Sequence, residues 1–436
     1  MAKAQGKIGM LGSKFIFILI FFIIILTIID TSIVKISAFT GGLASSTSSI
    51  TLFTVMAITF SVGQYFILSF VRARNQSVQD KNAWFRRLDQ LVVTTQYVLI
   101  ALLAALIVQM VSTSSYYTFF LEVVIWINYV LCIGLLGFLA YRFLLWFKSK
   151  HNTVVLAYSL AMIMICINAL FTLIYLTNQF KHTAAGPLVF PSLTPVANYV
   201  SGYNIFYQGY VVTSIISFIL TWIATVLLLH SYSKRIGRAK YWILVSIPLV
   251  YFLSQFQFVF VDMFTSFFHA TIPIGGALFG IAFWSVARNV NRDAVKQYTM
   301  ISAFGMMLLF SSNQAADLGN VPYPPFGLAT VSFFGLASFL VFVGIYSSAI
   351  SVAQDSELRK SIRGFAMRDS KLLDTIGTAQ MEREIEKRAI ALTKRYQDRM
   401  TQETGIQSSY LEDDIKEYLE QVIQEVQKRK IHSTKG

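Results

Sequence analysis

The side chains in this sequence best suited to chemistry are four carboxylates and two imidazoles: Asp30, Glu122, Asp262 and Asp317, with His182 and His269. All six fall at the same ends of successive apolar stretches. Oxygen and nitrogen donors of these types suit a divalent cation or an external pH sensor. Glu122, Asp262 and His269 are the residues of choice for a metal site, although the seven-residue step from Asp262 to His269 matches no ligand motif. Topology alone also accounts for acids on a side depleted of Lys and Arg. The sequence contains no GxxxxGK[ST] loop, no GxGxxG after a strand, no HExxH and no GxSxG. Of five histidines only His432 lies beyond residue 352, so no phosphoacceptor histidine sits within a tail helix. No catalytic residue and no cofactor are assigned, and a non-enzymatic protein is expected. Cys132 and Cys166 lie within apolar runs and read as small buried residues without a disulfide or zinc framework.

The connections that carry the acids also hold six of the eight prolines, in 178–209 and in NVPYPPFG. Stiff loops of this kind suit a preformed surface. Tyr199, Tyr203, Tyr207 and Tyr323 are its candidate binding residues, and an aromatic belt at a membrane interface is the alternative use for such tyrosines.

The elements that must position these groups are membrane spans. The chain is 55% hydrophobic and 13% charged, against about 25% charged in soluble domains. Ten stretches reach the roughly 20 apolar residues that a crossing needs, near 13–34, 50–71, 91–112, 119–141, 154–177, 210–231, 241–261, 268–287, 298–316 and 328–352. Asp262, Thr265, Ser266 and His269 are expected to form the turn between the seventh and eighth. The net charge of +14 belongs to residues 1–352, which hold 20 Lys/Arg and 7 Asp/Glu, whereas 353–436 hold 16 and 15. Alternate connections of the ten-span parse receive 18 and 2 of those basic residues. This asymmetry predicts a plasma-membrane protein with both termini cytoplasmic and explains the charge without nucleic acid.

Charged residues are lacking at the expected mid-bilayer positions, where proton-coupled carriers keep them. Gln64, Gln96, Asn128, Asn168, Gln255, Gln257, Asn313 and Gln314 are read as hydrogen-bond partners between helices. Gly276 and Gly280 form a GxxxG that predicts close helix packing. Pro248 and Pro273 predict bends.

Residues 353–436 form the second domain, an amphipathic cytoplasmic tail. Its first helix is expected to continue the last span and to stop at Gly377. Met381, Ile385, Ala389, Leu392, Tyr396 and Met400 then mark one apolar stripe, and Leu411, Ile415, Leu419, Val422 and Val426 another. Stripes over 379–430 call for a protein partner or self-association, besides the contact of the spans with the lipid bilayer. Arg359–Arg368 is placed to meet anionic headgroups.

Around SSAISVAQDSELRKSIRGF and SKLLDTIGTAQMEREIEKR the chain resembles a group of archaeal polytopic membrane proteins without an assigned function. The resemblance implies an archaeal plasma-membrane setting and transfers no site residue. The fold expected is all-α, a bundle of about ten spans with a helical tail. The function expected is a sensor, transducer or accessory subunit of a membrane complex. The competing expectation is a secondary transporter in which spans one to five and six to ten are inverted copies.

Overall fold

The computed structural model describes residues 13–40, 46–79, 83–181, 188–189, 205–254, 261–288, 293–313, 324–354, 375–377, 379–381 and 383. Its helices are α1 (Ser13–Thr40), α2 (Ser46–Gln79), α3 (Ala83–Thr113), α4 (Thr118–Lys150), α5 (Thr153–Lys181), α6 (Ile205–Ile236), α7 (Arg238–Ser254), α8 (Val261–Arg288), α9 (Asp293–Ser312), α10 (Leu328–Val331) and α11 (Phe333–Gln354). The fold is an all-α bundle. Among the described residues, six helical segments are long and apolar enough to cross a membrane: Thr47–Arg74, Trp84–Thr113, Thr118–Ser149, Thr153–Asn178, Ile205–His230 and Leu328–Ser351. Phe15–Asp30 and Ile274–Arg288 are shorter apolar segments.

Helices suit these sequences because hydrocarbon offers no partners for backbone amides, which must be satisfied within the segment. Hydroxyl side chains follow the same rule by donating to carbonyls one turn back. Thr54 donates to Ile50 at 2.8 Å, Thr225 to Thr221 at 2.7 Å and Ser311 to Met307 at 2.8 Å. The outward faces of the peripheral helices are apolar, with Ile18 and Phe21 on α1, Val55 and Ile58 on α2, Val108 on α3 and Val212 on α6 exposed. Such a surface fits lipid and has no place in water.

The interior is occupied by α9 and α11. Every residue from 328 to 350 is buried, and so are residues 301–312 of α9. α9 packs on α11 and α8, while α4, α2 and α3 also reach α11. Glycines set the closeness of these contacts. A Cβ on Gly276 would strike the Phe310 side chain, and one on Gly280 would lie 2.8 Å from both the Ala303 carbonyl oxygen and the Met307 nitrogen. The GxxxG therefore packs α8 on α9, as its spacing implies. Where α9 meets α11, a Cβ on Gly344 would lie 2.7 Å from the Ser302 Cα.

Short corners fix neighbouring helices. His151 caps α4 in the left-handed region at φ 48°, and its N–H donates to the Phe147 carbonyl at 2.7 Å. Asn152 Oδ1 then accepts the Val154 N–H at 2.9 Å at the start of α5. At the bundle's other end Ser115–Tyr116 (β1) pairs antiparallel with Leu188–Val189 (β2). This pairing, unforeseen in the sequence, ties the long proline-containing connection to the α3–α4 corner.

One expectation is corrected. Asp262, Thr265, Ser266 and His269 form no turn: all four lie inside α8, and the interval between α7 and α8 is 255–260. Polar side chains do not end a helix whose backbone bonds remain intact. The expected last span, 328–352, stands as the apolar segment Leu328–Ser351, with a one-residue turn at Ser332 between α10 and α11. In the tail, residues 375–377 and 379–381 are helical on both sides of the expected stop at Gly377. The stripes beyond residue 383 lie outside the described residues.

Candidate functional site

The start of the last span lies buried in the bundle, and three surrounding helices supply side chains to it. Gly327, at φ 92°, precedes α10 and has no capping side chain of its own. Only glycine adopts that backbone conformation without strain. Asp30 on α1 provides the missing cap. Its Oδ1 accepts the Gly327 N–H at 2.9 Å, and its Oδ2 accepts the Thr330 hydroxyl at 2.7 Å. A carboxylate at a helix N-terminus also meets the positive end of the helix dipole. From α2, Gln64 Nε2 donates to Ser332 Oγ. From α4, Asn128 Oδ1 accepts the Gly335 N–H at 3.2 Å while its Nδ2 donates to the Val124 carbonyl at 2.8 Å.

Tyr129, next to Asn128, begins a second network. Its ring lies 4.6 Å from that of Phe334, and its hydroxyl donates to Asn313 Oδ1 at 2.7 Å. Asn313 Nδ2 donates to Asn168 Oδ1 at 3.0 Å. Asn168 Nδ2 faces Ser214 Oγ at 2.7 Å, the Tyr210 carbonyl at 3.0 Å and Thr213 Oγ1 at 3.1 Å. The end of α9 is thus joined to α4, α5 and α6. A small cavity adjoins this network between Ser214, Ser217, Asn313, Ile165, Phe310 and Phe334.

At the arginine-rich end, α11 is enclosed by rings. Phe85 stacks on Phe342 at 6.1 Å and on Tyr346 at 6.0 Å. Trp84 lies 5.1 Å from Phe138. The Arg142 guanidinium sits over the Phe138 ring at 4.9 Å and faces Tyr346 at 5.7 Å. Between α2 and α3, Arg72 Nε and Asp89 Oδ2 form an ion pair at 3.2 Å. Past the span, Asn152 Nδ2 donates to Thr375 Oγ1 at 2.8 Å, and Ile376 and Ala379 are buried. Thr375 is therefore held against the α4–α5 corner.

The residues singled out in the sequence divide among these places. Gln64, Asn128, Asn168 and Asn313 are hydrogen-bond partners between elements, as expected, whereas Gln96 is wholly buried with neither amide atom partnered among the described residues. Asp30 is a cap within the bundle. Glu122 is half-buried on α4, which packs on α5, α11 and α3, whereas α8, carrying Asp262 and His269, packs on α9, α7 and α6. The side chains of Asp262 and His269 lie outside the described residues, as do Asp317, His182, Tyr199, Tyr203 and Tyr323. Among the described residues no group of three His, Cys, Asp or Glu could hold a metal. Tyr207 is half-buried, with ring contacts to Tyr175 at 5.5 Å and Tyr210 at 6.1 Å. Cys132 and Cys166 are free thiols. Sequence reasoning missed Gly327, Thr330, Ser332 and Tyr129. The PPFG preceding the last span, a run that contains Gly327, was the available signal for its capped start.

Comparison with protein-family models, curated proteins and solved structures finds no match. The site and the fold alone carry the functional reading: an integral membrane helical protein.

Proposed function

We propose that the protein is a ten-span, non-enzymatic transducer or accessory subunit of a membrane complex, in which the last span delivers its position to a cytoplasmic tail. The observation behind this reading is the burial of that span. The apolar window of Leu328–Ser351 is 100% buried, against 50% for Thr153–Asn178. A helix enclosed by its neighbours, clamped at one end by Asp30, Gln64 and Asn128 and followed at the other by a tail whose Thr375 is held against the α4–α5 corner, is suited to carrying strain between the two sides. The 18-to-2 distribution of basic residues favours a cytoplasmic tail.

The transporter alternative is less favoured by the same burial values. Inverted five-span repeats would make α5 and the last span equivalent, and their burial differs twofold. The deciding experiment is gentle solubilisation of the full chain and of a chain ending at Arg383, followed by identification of retained proteins. A defined partner set bound by the full chain and lost on truncation supports the transducer reading. Identical sets, with solute flux in reconstituted liposomes, would overturn it in favour of transport.

A further inference from the structure

We propose that the groove between α3 and α4 at the arginine-rich end is a binding site for one anionic phospholipid, with Arg142 on its phosphate. The guanidinium of Arg142 is held over the rings of Phe138 and Tyr346, at 4.9 and 5.7 Å, and has no acidic partner among the described residues. Its Nε is buried without a hydrogen-bond acceptor. A half-buried guanidinium with no anion beside it offers its two terminal nitrogens, not the buried Nε, to a doubly accepting anion, and phosphate is the geometric match.

Two further features give the site its shape. On α3, Trp84 and Arg87 are three residues apart, share a face, and are both exposed. Trp84 packs against Phe138, so that face borders the groove and brings a second basic residue to its rim. On α4, Gly134, Phe138 and Arg142 follow at steps of four, and a Cβ on Gly134 would meet nothing within 4 Å. This leaves an uncovered stretch of lipid-facing surface about two helical turns from the guanidinium. A cation beside an aromatic wall, next to open lipid-facing surface, fits a phosphodiester headgroup with its chain, and a free phosphate would not use that apolar surface. The same guanidinium touches Tyr346 of α11, so an occupied groove stiffens the enclosed span near its exit. The lipid site stands whether or not the tail recruits a partner.

The test is titration of the full chain, in zwitterionic phosphatidylcholine mixed micelles, with dioleoylphosphatidylglycerol, read as melting temperature and as lipid retained in native mass spectrometry. Ligand that binds only the folded protein raises its melting temperature. The expected result is saturable stabilisation with one retained lipid, weakened about tenfold in apparent affinity in Arg142→Gln and unchanged in Lys148→Gln, which is exposed on the same helix. Arg142→Lys keeps the charge over the rings but loses the fork, so it reads the same interaction if the glutamine variant fails to fold, and it should also bind more weakly. Equal stabilisation of wild type and both Arg142 variants would overturn the proposal. Equal stabilisation by inorganic phosphate would assign the groove to a soluble anion and overturn the lipid reading.

Discussion

Asp30 and Gly327 are 297 residues apart in sequence and joined at 2.9 Å, a carboxylate from the first helix closing the open N-terminus of the last span. Asp30→Ala removes the acceptor for both the Gly327 N–H and the Thr330 hydroxyl. The expected cost is about 2–3 kcal/mol, measured by denaturation in micelles. Asp30→Asn keeps a carbonyl oxygen and should cost less. Equal losses in the two variants would mean that size, and not the acceptor, matters at this position.

Glycine packing makes a sharper contrast. Gly280→Ala puts a methyl group against backbone atoms of α9 and should destabilise the protein by about 1–3 kcal/mol, whereas Gly134→Ala enters open space. Melting temperatures of the two variants decide the matter. A neutral Gly280→Ala would show that α8 and α9 are free to separate.

For the Asn168–Asn313 bond, a double-mutant cycle with Asn168→Ala and Asn313→Ala isolates the pair. Coupling of about 0.6–1.7 kcal/mol is expected, the range for hydrogen bonds between membrane helices. Strict additivity would show that the two amides act separately.

Topology is open to direct labelling. Cysteines introduced at Ser192 and Asn320 should react with an impermeant thiol reagent on intact cells, and one at Ser77 should not, given the basic-residue asymmetry. Labelling at Ser77 would reverse the orientation.

Phase tests the output of the last span. One alanine inserted after Gln354 rotates the downstream chain by about 100°, whereas four rotate it by about 40° and lengthen the helix by about 6 Å. A relay loses partner recruitment more with one residue than with four. Equal tolerance would reduce the tail to a passive attachment.

The apolar lengths of the six long helices, the close packing at Gly276 and Gly280 and the separate hydrogen-bonding roles of Asn128 and Asn168 were legible because apolar runs, a four-residue repeat and isolated amides within such runs are all local features. Asp30 was legible only as an acid near a helix end, since its partners lie at the opposite end of the membrane domain's sequence. Hydropathy also misplaced the α7–α8 boundary: it registers the polarity of Asp262 and His269, whereas helix continuity depends on backbone bonding that side-chain polarity leaves intact. The β1–β2 pairing spans two residues on each side, too few for any alternation to show.

The enclosure of Leu328–Ser351 also dictates an order of assembly. A ribosome delivers this segment after every helix that surrounds it, so during synthesis α1, α2, α3 and α4 stand in the bilayer around a site that only the end of the membrane domain can fill. Until then Asp30, Gln64 and Asn128 lack the groups they will hold. Quality control in the cell would therefore see a chain interrupted before residue 328 as an unfinished ring with polar side chains open to lipid, and such chains should be degraded, not retained.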